Sequence, residues 1–295
     1  MSIYDNEDEW KEFCLSKTRY MKMKYCRITK HKLDLENPTR FTQKIQWLKL
    51  NDSTALKSKC ADKIAVHDYC KEKLGIDICV PIIGIYEKFE DIPWDTLPDK
   101  FVLKCNHGSG YNLIVKDKKK FLDPNKCFFE RAKKKVANWM AEDYTYRWGC
   151  ELHYHRIPHK IFIEEFMDVE NSVPTDYKFH CFHGEVKSCY VINDRFTKKV
   201  HGNYYNMDWQ PITDMERKDF PSDYSKLDEK PKHYDEMVKI AEKLSSEFKY
   251  VRVDLYEYND KVYLGELTFY PASGLINFTT EGIDERLCPL LDLNK

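Results

Sequence analysis

One stretch constrains the fold more than any other: YVRVDLYEYNDKVYLGELTF, residues 250–269, in which apolar and polar residues alternate on both sides of Asn259 and Asp260. That pattern reads as two β-strands around a tight turn. If the loop holds three residues, Asn259, Asp260 and Lys261, then Tyr258 pairs with Val262, Asp254 falls opposite Glu266, and Arg252 falls opposite Thr268 on the same face. The other face is then apolar, with Val251, Val253 and Leu255 meeting Tyr263, Leu267 and Phe269. Two carboxylates facing each other across a ladder repel, so a cation is expected between them. Hard oxygen ligands on rigid strands suit Mg²⁺, which completes its octahedron with phosphate oxygens and water. A two-residue loop instead sends the two carboxylates to opposite faces and leaves a solvated hairpin.

The rest of the chain is compatible with a cleft-bearing soluble protein. Its 295 residues, 42% hydrophobic and 33% charged, are enough for a large core and two or three subdomains. With 48 basic against 49 acidic side chains and a net charge of −1, nothing calls for nucleic acid or an anionic membrane as the main partner. No stretch approaches the ~20 apolar residues of a membrane span, and the N-terminus carries no apolar run of signal-peptide length, so a cytoplasmic location is expected. Eleven cysteines show no Cys-x-x-Cys spacing and mostly sit in apolar runs, as Cys79, Cys105 and Cys181 do, which reads as reduced structural thiols.

Residues 1–60 read as a polar helical segment, with Trp10, Phe13, Ile45, Trp47 and Leu48 available for packing and a break at Asn37-Pro38-Thr39. A helix follows from about Ala61 to Lys73, ending near Gly75. Strands are expected in VPIIGIYE, FVLKC, NLIVKD, IFIEEFM and near 177–193, with helices around 125–142 and 233–247. Paired strands separated by helices indicate an α+β protein with largely antiparallel sheets.

In VLKCNHGSGYN, Lys104 interrupts an apolar strand just before a turn containing Gly108, Ser109 and Gly110. Glycines let backbone N–H groups approach phosphate oxygens, and a lysine leaving a strand offers a point charge to the same anion. The alternative is a plain hairpin with a solvated lysine, since this is neither a Walker loop nor the dinucleotide fingerprint. An anion site early in the chain and a carboxylate pair late in it suggest a nucleoside triphosphate between two subdomains.

Taken in order, NPTRFTQKIQWLKL, ADKIAVHDY, LPDKFVLKCNHGSGYN, IEEFM, DYKFHCFHGEVK, NDRF, RVDLY and GELTFYPASG resemble the TupA-like branch of the ATP-grasp superfamily, over roughly residues 37–280. The resemblance implies an ATP-grasp fold of two α+β subdomains whose antiparallel sheets sandwich ATP, divided at 61–163 and 164–295 after the helical segment 1–60. It also implies roles. Lys104 and Lys63 would contact the phosphates, with Lys59 as the fallback for Lys63. Gly108, Ser109 and Gly110 would form a flap over the triphosphate. Glu164, Glu165, Phe166 and Met167 would hold adenine, largely through backbone groups. Asp176 would bind ribose and Lys178 would face the γ-phosphate. Asp254 and Glu266 would hold one or two Mg²⁺, and Arg252 would stabilise the reacting acyl group. Many relatives carry Asn where this chain has Thr268, whose hydroxyl is a weaker candidate ligand for a second ion.

Other residues have both a functional and an ordinary reading. His153, His155 and His159 invite zinc through His-x-His spacing, yet no thiol or acid lies at a standard interval, and a basic loop is the simpler reading. His107 within the turn reads equally as a phosphate contact or as packing. Arg195, beside Asp194 in NDRF, is a candidate for binding the acidic acceptor or the transferred phosphate, against a surface salt bridge. Tyr204, Tyr205 and Trp209 could stack on a sugar, although core packing is the default. Lys116 to Lys120 read as a solvated turn.

The expected activity is ATP-dependent ligation of a carboxylate to an amine through an acylphosphate. The resemblance adds a uronic-acid carboxyl as acceptor, an amino acid as amine, and work alongside membrane polysaccharide machinery, in capsule or cell-surface polysaccharide synthesis. The rivals are a phosphotransferase on the same nucleotide site, a glycosyltransferase, and a nucleotide-binding scaffold. Intact Lys104, Asp254, Glu266 and Arg252 argue against the scaffold.

Overall fold

Strand pairing sorts the strands into two antiparallel sheets, each with one face covered by helices. The structure is a computed structural model that describes residues 7–169, 174–193 and 197–295, with side chains from Ser16 onward. Three helices open the chain: α1 (Glu7–Thr29), α2 (Phe41–Asn51) and α3 (Ala55–Ala61). Then come α4 (Val66–Leu74), β1 (Ile82–Tyr86), β2 (Phe101–Cys105), β3 (Asn112–Val115), α5 (Lys118–Leu122), α6 (Phe128–Ala141) and β4 (Ile161–Glu165). The remainder is β5 (Asp176–Phe182), β6 (Glu185–Asn193), β7 (His201–Tyr205), α7 (Tyr234–Ser245), β8 (Tyr250–Tyr258), β9 (Lys261–Thr268) and α8 (Ile283–Leu287).

The first sheet runs in the order β1-β4-β2-β3 and the second β7-β6-β5-β8-β9. On the first, Phe101, Leu103, Cys105, Ile161 and Ile163 face Ala132, Val136 and Trp139 of α6, whose i, i+4, i+7 spacing makes one apolar stripe. On the second, Phe179, Cys181, Val251, Val253 and Leu255 face Met237, Ala241 and Leu244 of α7, joined by Ile45 of α2 and Tyr69 of α4. Because successive strand residues alternate faces, covering one face with helices leaves the polar residues of each sheet on the other. Lys104 and Glu164 lie on that face of the first sheet, and Lys178 and Asp254 on that of the second.

The expected long helix from Ala61 is broken. Asp62 accepts hydrogen bonds from the backbone N–H groups of Ile64 (2.8 Å) and Ala65 (3.3 Å) and from the Asn106 side chain (3.0 Å), so its carboxylate competes with helical continuation. Lys63 therefore sits in a bend between α3 and α4. The break at Asn37-Pro38-Thr39 does separate α1 from α2. The side chains of Trp10 and Phe13 lie outside the described residues.

The C-terminal hairpin departs from the expected register in an instructive way. Its loop has two residues, Asn259 (φ 49°) and Asp260 (φ 60°), both left-handed as a type I′ turn demands, so Tyr258 pairs with Lys261 and not with Val262. That loop alone would separate the carboxylates. A bulge at Gly265 restores them: Leu255 pairs with Leu264, one residue is skipped, and Asp254 pairs with Glu266 and Arg252 with Thr268. Glycine suits the position, since a Cβ there would come within 2.6 Å of the Tyr256 ring. The bulge also exchanges two neighbours. Leu264 takes the core place expected of Tyr263, which pairs with Tyr256 instead.

Candidate active site

Asp254 and Glu266 are brought together, but the cation between them belongs to the chain. Arg252 donates to Asp254 Oδ1 from Nε (2.6 Å) and to Oδ2 from Nη2 (2.7 Å), and Lys178 Nζ donates to the same Oδ2 at 2.6 Å. Arg252 Nη2 also reaches Thr268 Oγ1 (3.1 Å) and Glu266 Oε1 (3.4 Å), while the Thr268 hydroxyl donates to Glu266 Oε1 (3.0 Å). Lys178 Nζ lies 3.3 Å from Asp176 Oδ1. The like-charge repulsion that suggested a metal is thus relieved by Arg252 and Lys178. Three acids against two bases still leave one unit of negative charge. Burial opposes a charged Arg252, yet Asp254 beside it overrides this and holds the guanidinium well above its ordinary pKa. Burial and the Asp254 charge push Glu266 up, and Lys63, Arg252 and Lys178 outweigh both, so Glu266 lies below the ordinary carboxylate range.

The two acids differ in accessibility. Only 1% of the Asp254 side chain is exposed, against 34% of Glu266. Among the described residues, Glu266 Oε2 accepts no hydrogen bond. Glu266 faces a cavity of about 360 Å³, lined also by Ser109, Lys178, Arg217, Arg252 and Thr268. A smaller cavity of about 120 Å³ lies between the polar faces of the two sheets, lined by Lys104, Glu164, Glu165, Phe166, Met167 and Asp176. Lys178, within reach of Asp176, links the two spaces.

Lys104 is not a lone strand-end charge: its Nζ pairs with Glu164 Oε2 at 2.5 Å. The Gly108–Gly110 turn does take positive φ at both glycines, 78° and 76°. Lys63 Nζ donates to the Gly108 carbonyl. Burial lowers the Lys63 pKa against the opposing pull of Glu266, so this lysine stands electrostatically between the turn and the carboxylates. His107 is a correction. It is fully buried, its Nε2 meets the Trp139 carbonyl at 2.9 Å, and its ring stacks on His159 at 3.5 Å, so it packs behind the turn and faces no anion site. Lys59 pairs with Glu72 at 3.0 Å and takes no part.

Arg195 and Asp194 lie outside the described residues. Tyr204 and Tyr205 are buried, with Trp209 stacked on Tyr205 at 4.6 Å, so these rings pack against the protein. The histidines of ELHYHRIPHK diverge: His153 packs against Tyr154, Phe269 and Tyr270, His155 pairs with Asp143, and His159 with His107.

The sequence reading missed most of the larger cavity's wall, in which Tyr144, Trp148, Tyr154, Tyr190 and Arg217 converge from separate segments. It also missed the turn after β9, where Ala272, Ser273 and Gly274 are all left-handed, at φ 47°, 57° and 65°. Two consecutive non-glycine residues in that region store strain. Lys49, fully buried, holds the turn by donating to the Ser273 hydroxyl (2.7 Å) and carbonyl (2.5 Å) and to the Gly149 carbonyl (2.8 Å). The signal available in the sequence was Pro-Ala-Ser-Gly directly after a carboxylate-bearing strand.

Three buried histidines make stability depend on pH. Burial lowers His107 to about 4 and holds His153 and His180 well below the ordinary value. Unfolded histidines titrate near about 6.5, so between that pH and the folded values the unfolded chain binds more protons. Stability is therefore fully present above about pH 6.5 and declines as pH falls. Thermal denaturation between pH 7.5 and 5 should show a falling Tm; a flat profile would contradict neutral burial of these rings.

Comparison with known proteins places the chain in a family. No curated protein shows significant sequence similarity to the chain. Among solved structures it is similar to the D-alanine–D-alanine ligase of Bacillus anthracis, at 17% identity over 72% of this chain and 58% of that one, with a TM-score of 0.40. It is likewise similar to the Helicobacter pylori D-alanine–D-alanine ligase (18% identity, 79% and 60% coverage, TM-score 0.42) and to the ATP-grasp ligase PsnB (12%, 81% and 60%, 0.42). The chain thus spans about three fifths of the length of these structures. A sequence profile matches residues 43–291, most of the chain, and by it the chain belongs to the TupA-like ATPgrasp family.

Proposed function

We propose that the protein is an ATP-dependent carboxylate–amine ligase whose nucleotide lies between the two sheets and whose acceptor occupies the larger cavity. One observation carries the reading: Asp176, Lys178, Arg252, Asp254 and Glu266 form a connected charged network where the two cavities meet. Adenine would rest against Glu164 to Met167, with Asp176 toward the ribose. Lys63, Lys104 and Lys178 would offset phosphate charge, Lys104 after leaving Glu164. Ser109 and its flanking glycines would close over the triphosphate.

The residues suit Mg²⁺ in part. Glu266 offers an oxygen toward the cavity, whereas Asp254 becomes a ligand only when Lys178 or Arg252 releases it, and Thr268 is occupied between Arg252 and Glu266. When bound, Mg²⁺ supplies neutralisation of the charge developing on the transferring phosphoryl group.

In the first step a carboxylate oxygen of the acceptor attacks the γ-phosphorus, and the bond to the β-phosphate bridging oxygen breaks, giving an acylphosphate and ADP. Lys178, released from Asp254, would follow the phosphoryl oxygens, because little covalent chemistry falls to the protein in such transfers. In the second step an amine attacks the acyl carbon, inorganic phosphate leaves, and the amine proton passes to solvent. Arg252, oriented by Asp254, would stabilise the tetrahedral oxyanion through the N–H groups not donated to that carboxylate.

The cavity's aromatic walls, with Arg217 and Arg252, suit an anionic sugar ring and support a uronic acid as acceptor and an amino acid as amine, in polysaccharide synthesis. ADP release measured over a panel of uronic acids and amino acids tests this. Turnover should require one carboxylate and one amine together, and hydroxylamine should trap the intermediate as a hydroxamate. A stable phosphoester, or sugar release without ATP, would overturn the ligase reading.

A further inference from the structure

Away from the cleft, α4 and the segment after it bring together four side chains of metal-ligand type. Gly75 ends α4 in a left-handed conformation (φ 77°), which folds the chain back beside the helix. Asp77 and Cys79 therefore return next to His67 and Cys70, which stand three residues apart, on one face of α4. The returning segment is anchored to the second sheet: the Ile78 carbonyl accepts from the Leu264 N–H at 2.8 Å and Cys79 bridges Leu264, two residues before Glu266.

The ligand atoms of His67, Asp77 and Cys79 lie within 4.8 Å of one another, and Cys70 Sγ stands outside that group, against Cys79. His67 Nδ1 is 2.9 Å from Asp77 Oδ2, and Asp77 Oδ1 accepts from the Cys79 N–H at 3.0 Å, which fixes the carboxylate. Cys70 Sγ and Cys79 Sγ are 3.7 Å apart, both buried. A tetrahedral metal with bonds to sulfur of about 2.3 Å separates two thiolates by roughly 3.8 Å, whereas a disulfide needs about 2.05 Å. Two thiols in simple contact also sit near this distance, so the choice rests on the imidazole and carboxylate gathered at the same edge. Two sulfurs, one nitrogen and one oxygen are a donor set for zinc and its neighbours, not for Mg²⁺.

We propose that His67, Asp77 and Cys79, with Cys70 turned in from its place against Cys79 as the fourth ligand, form a tetrahedral site for a zinc-class divalent cation, which fastens α4 and the returning segment to the edge of the second sheet. On binding, both thiols lose their protons to solvent and become thiolates, the His67 Nδ1 proton passes to Nε2 so that Nδ1 can ligate, and the Asp77 carboxylate gives up His67 and Lys71, now 2.9 Å and 3.5 Å away. Such a site has no Cys-x-x-Cys signature, because its ligands are spaced His-x-x-Cys and then Asp-x-Cys.

The test is anaerobic titration of the full-length, reduced, metal-free protein with Co²⁺. The expected result is thiolate-to-cobalt charge-transfer absorption with tetrahedral ligand-field bands, saturating at one ion per chain, displaced by Zn²⁺ and indifferent to excess Mg²⁺. Cys79→Ser should lose the charge-transfer band and His67→Asn, a partly exposed change that spares the core, should weaken Co²⁺ binding at least about tenfold. Cys60→Ser should leave the bands as they are. Absence of the band in the parent protein, its persistence in Cys79→Ser, or unchanged affinity in His67→Asn would overturn the site. Loss of two free thiols on mild peroxide treatment, with no cobalt band in the reduced protein, would assign the pair to a disulfide instead. None of these outcomes depends on ligase activity.

Discussion

Glu266→Gln should lower Mg²⁺-dependent ATP turnover by at least about 100-fold while leaving the melting temperature close to that of the parent. The two halves of that expectation have separate causes. Glu266 is a third exposed, and its contacts are a 3.0 Å bond from Thr268 and a 3.4 Å approach from Arg252, which the amide oxygen of glutamine can still accept. What glutamine cannot supply is the negative charge that faces the cavity. Full turnover in Glu266→Gln would remove the metal assignment, and a large fall in melting temperature would make the residue structural.

Asp254→Ala should act on the fold. Asp254 receives three charge-assisted hydrogen bonds from Arg252 and Lys178, and it is almost completely buried. Its removal leaves an ammonium and a guanidinium side by side without their shared counter-ion. Breaking a buried pair from one side costs about 3–5 kcal/mol, a fall of roughly 10 °C in Tm. Salt should restore little of it, because buried charges are poorly screened. Chemical denaturation of Asp254→Ala beside the parent measures this directly, and a loss below about 1 kcal/mol would mean that the network is loosely held and solvated.

The contrast between these two acids also shows what was legible in the sequence. Alternation around Asn259 and Asp260 revealed the hairpin, and the helices expected around 125–142 and 233–247 are α6 and α7, although that they cover one face of each sheet was not legible. The register was reached by an incorrect step that a second feature compensated: the loop has two residues, and the Gly265 bulge supplies the missing one. A glycine inside a strand was the available sign. Pairing was harder to read. Nothing local shows that Lys104 will meet Glu164 or that Lys178 will meet Asp254, since those contacts cross strands far apart in the chain. Which of its two readings His107 would follow was hidden for a related reason, because its stacking partner His159 arrives from a loop more than fifty residues later. The walls of the larger cavity have no local pattern at all. They come from β6, which carries Tyr190, and from several separate segments, two of which, the Ser273 turn and Gly149, are joined by Lys49, a buried cation.

The network is closed on itself, with Lys178 held by Asp176 and Asp254 and Lys104 held by Glu164. On the proposed reading, nucleotide binding in the cleft exchanges these internal pairs for phosphate oxygens. A crystal structure with Mg²⁺ and a non-hydrolysable ATP analogue tests this most directly. It should place adenine against Glu164 to Met167, the terminal phosphate beside Lys63 and Lys178, and the metal on Glu266, with Lys178 withdrawn from Asp254. A nucleotide bound elsewhere, or one bound here while the Lys178–Asp254 contact stays at 2.6 Å, would contradict it.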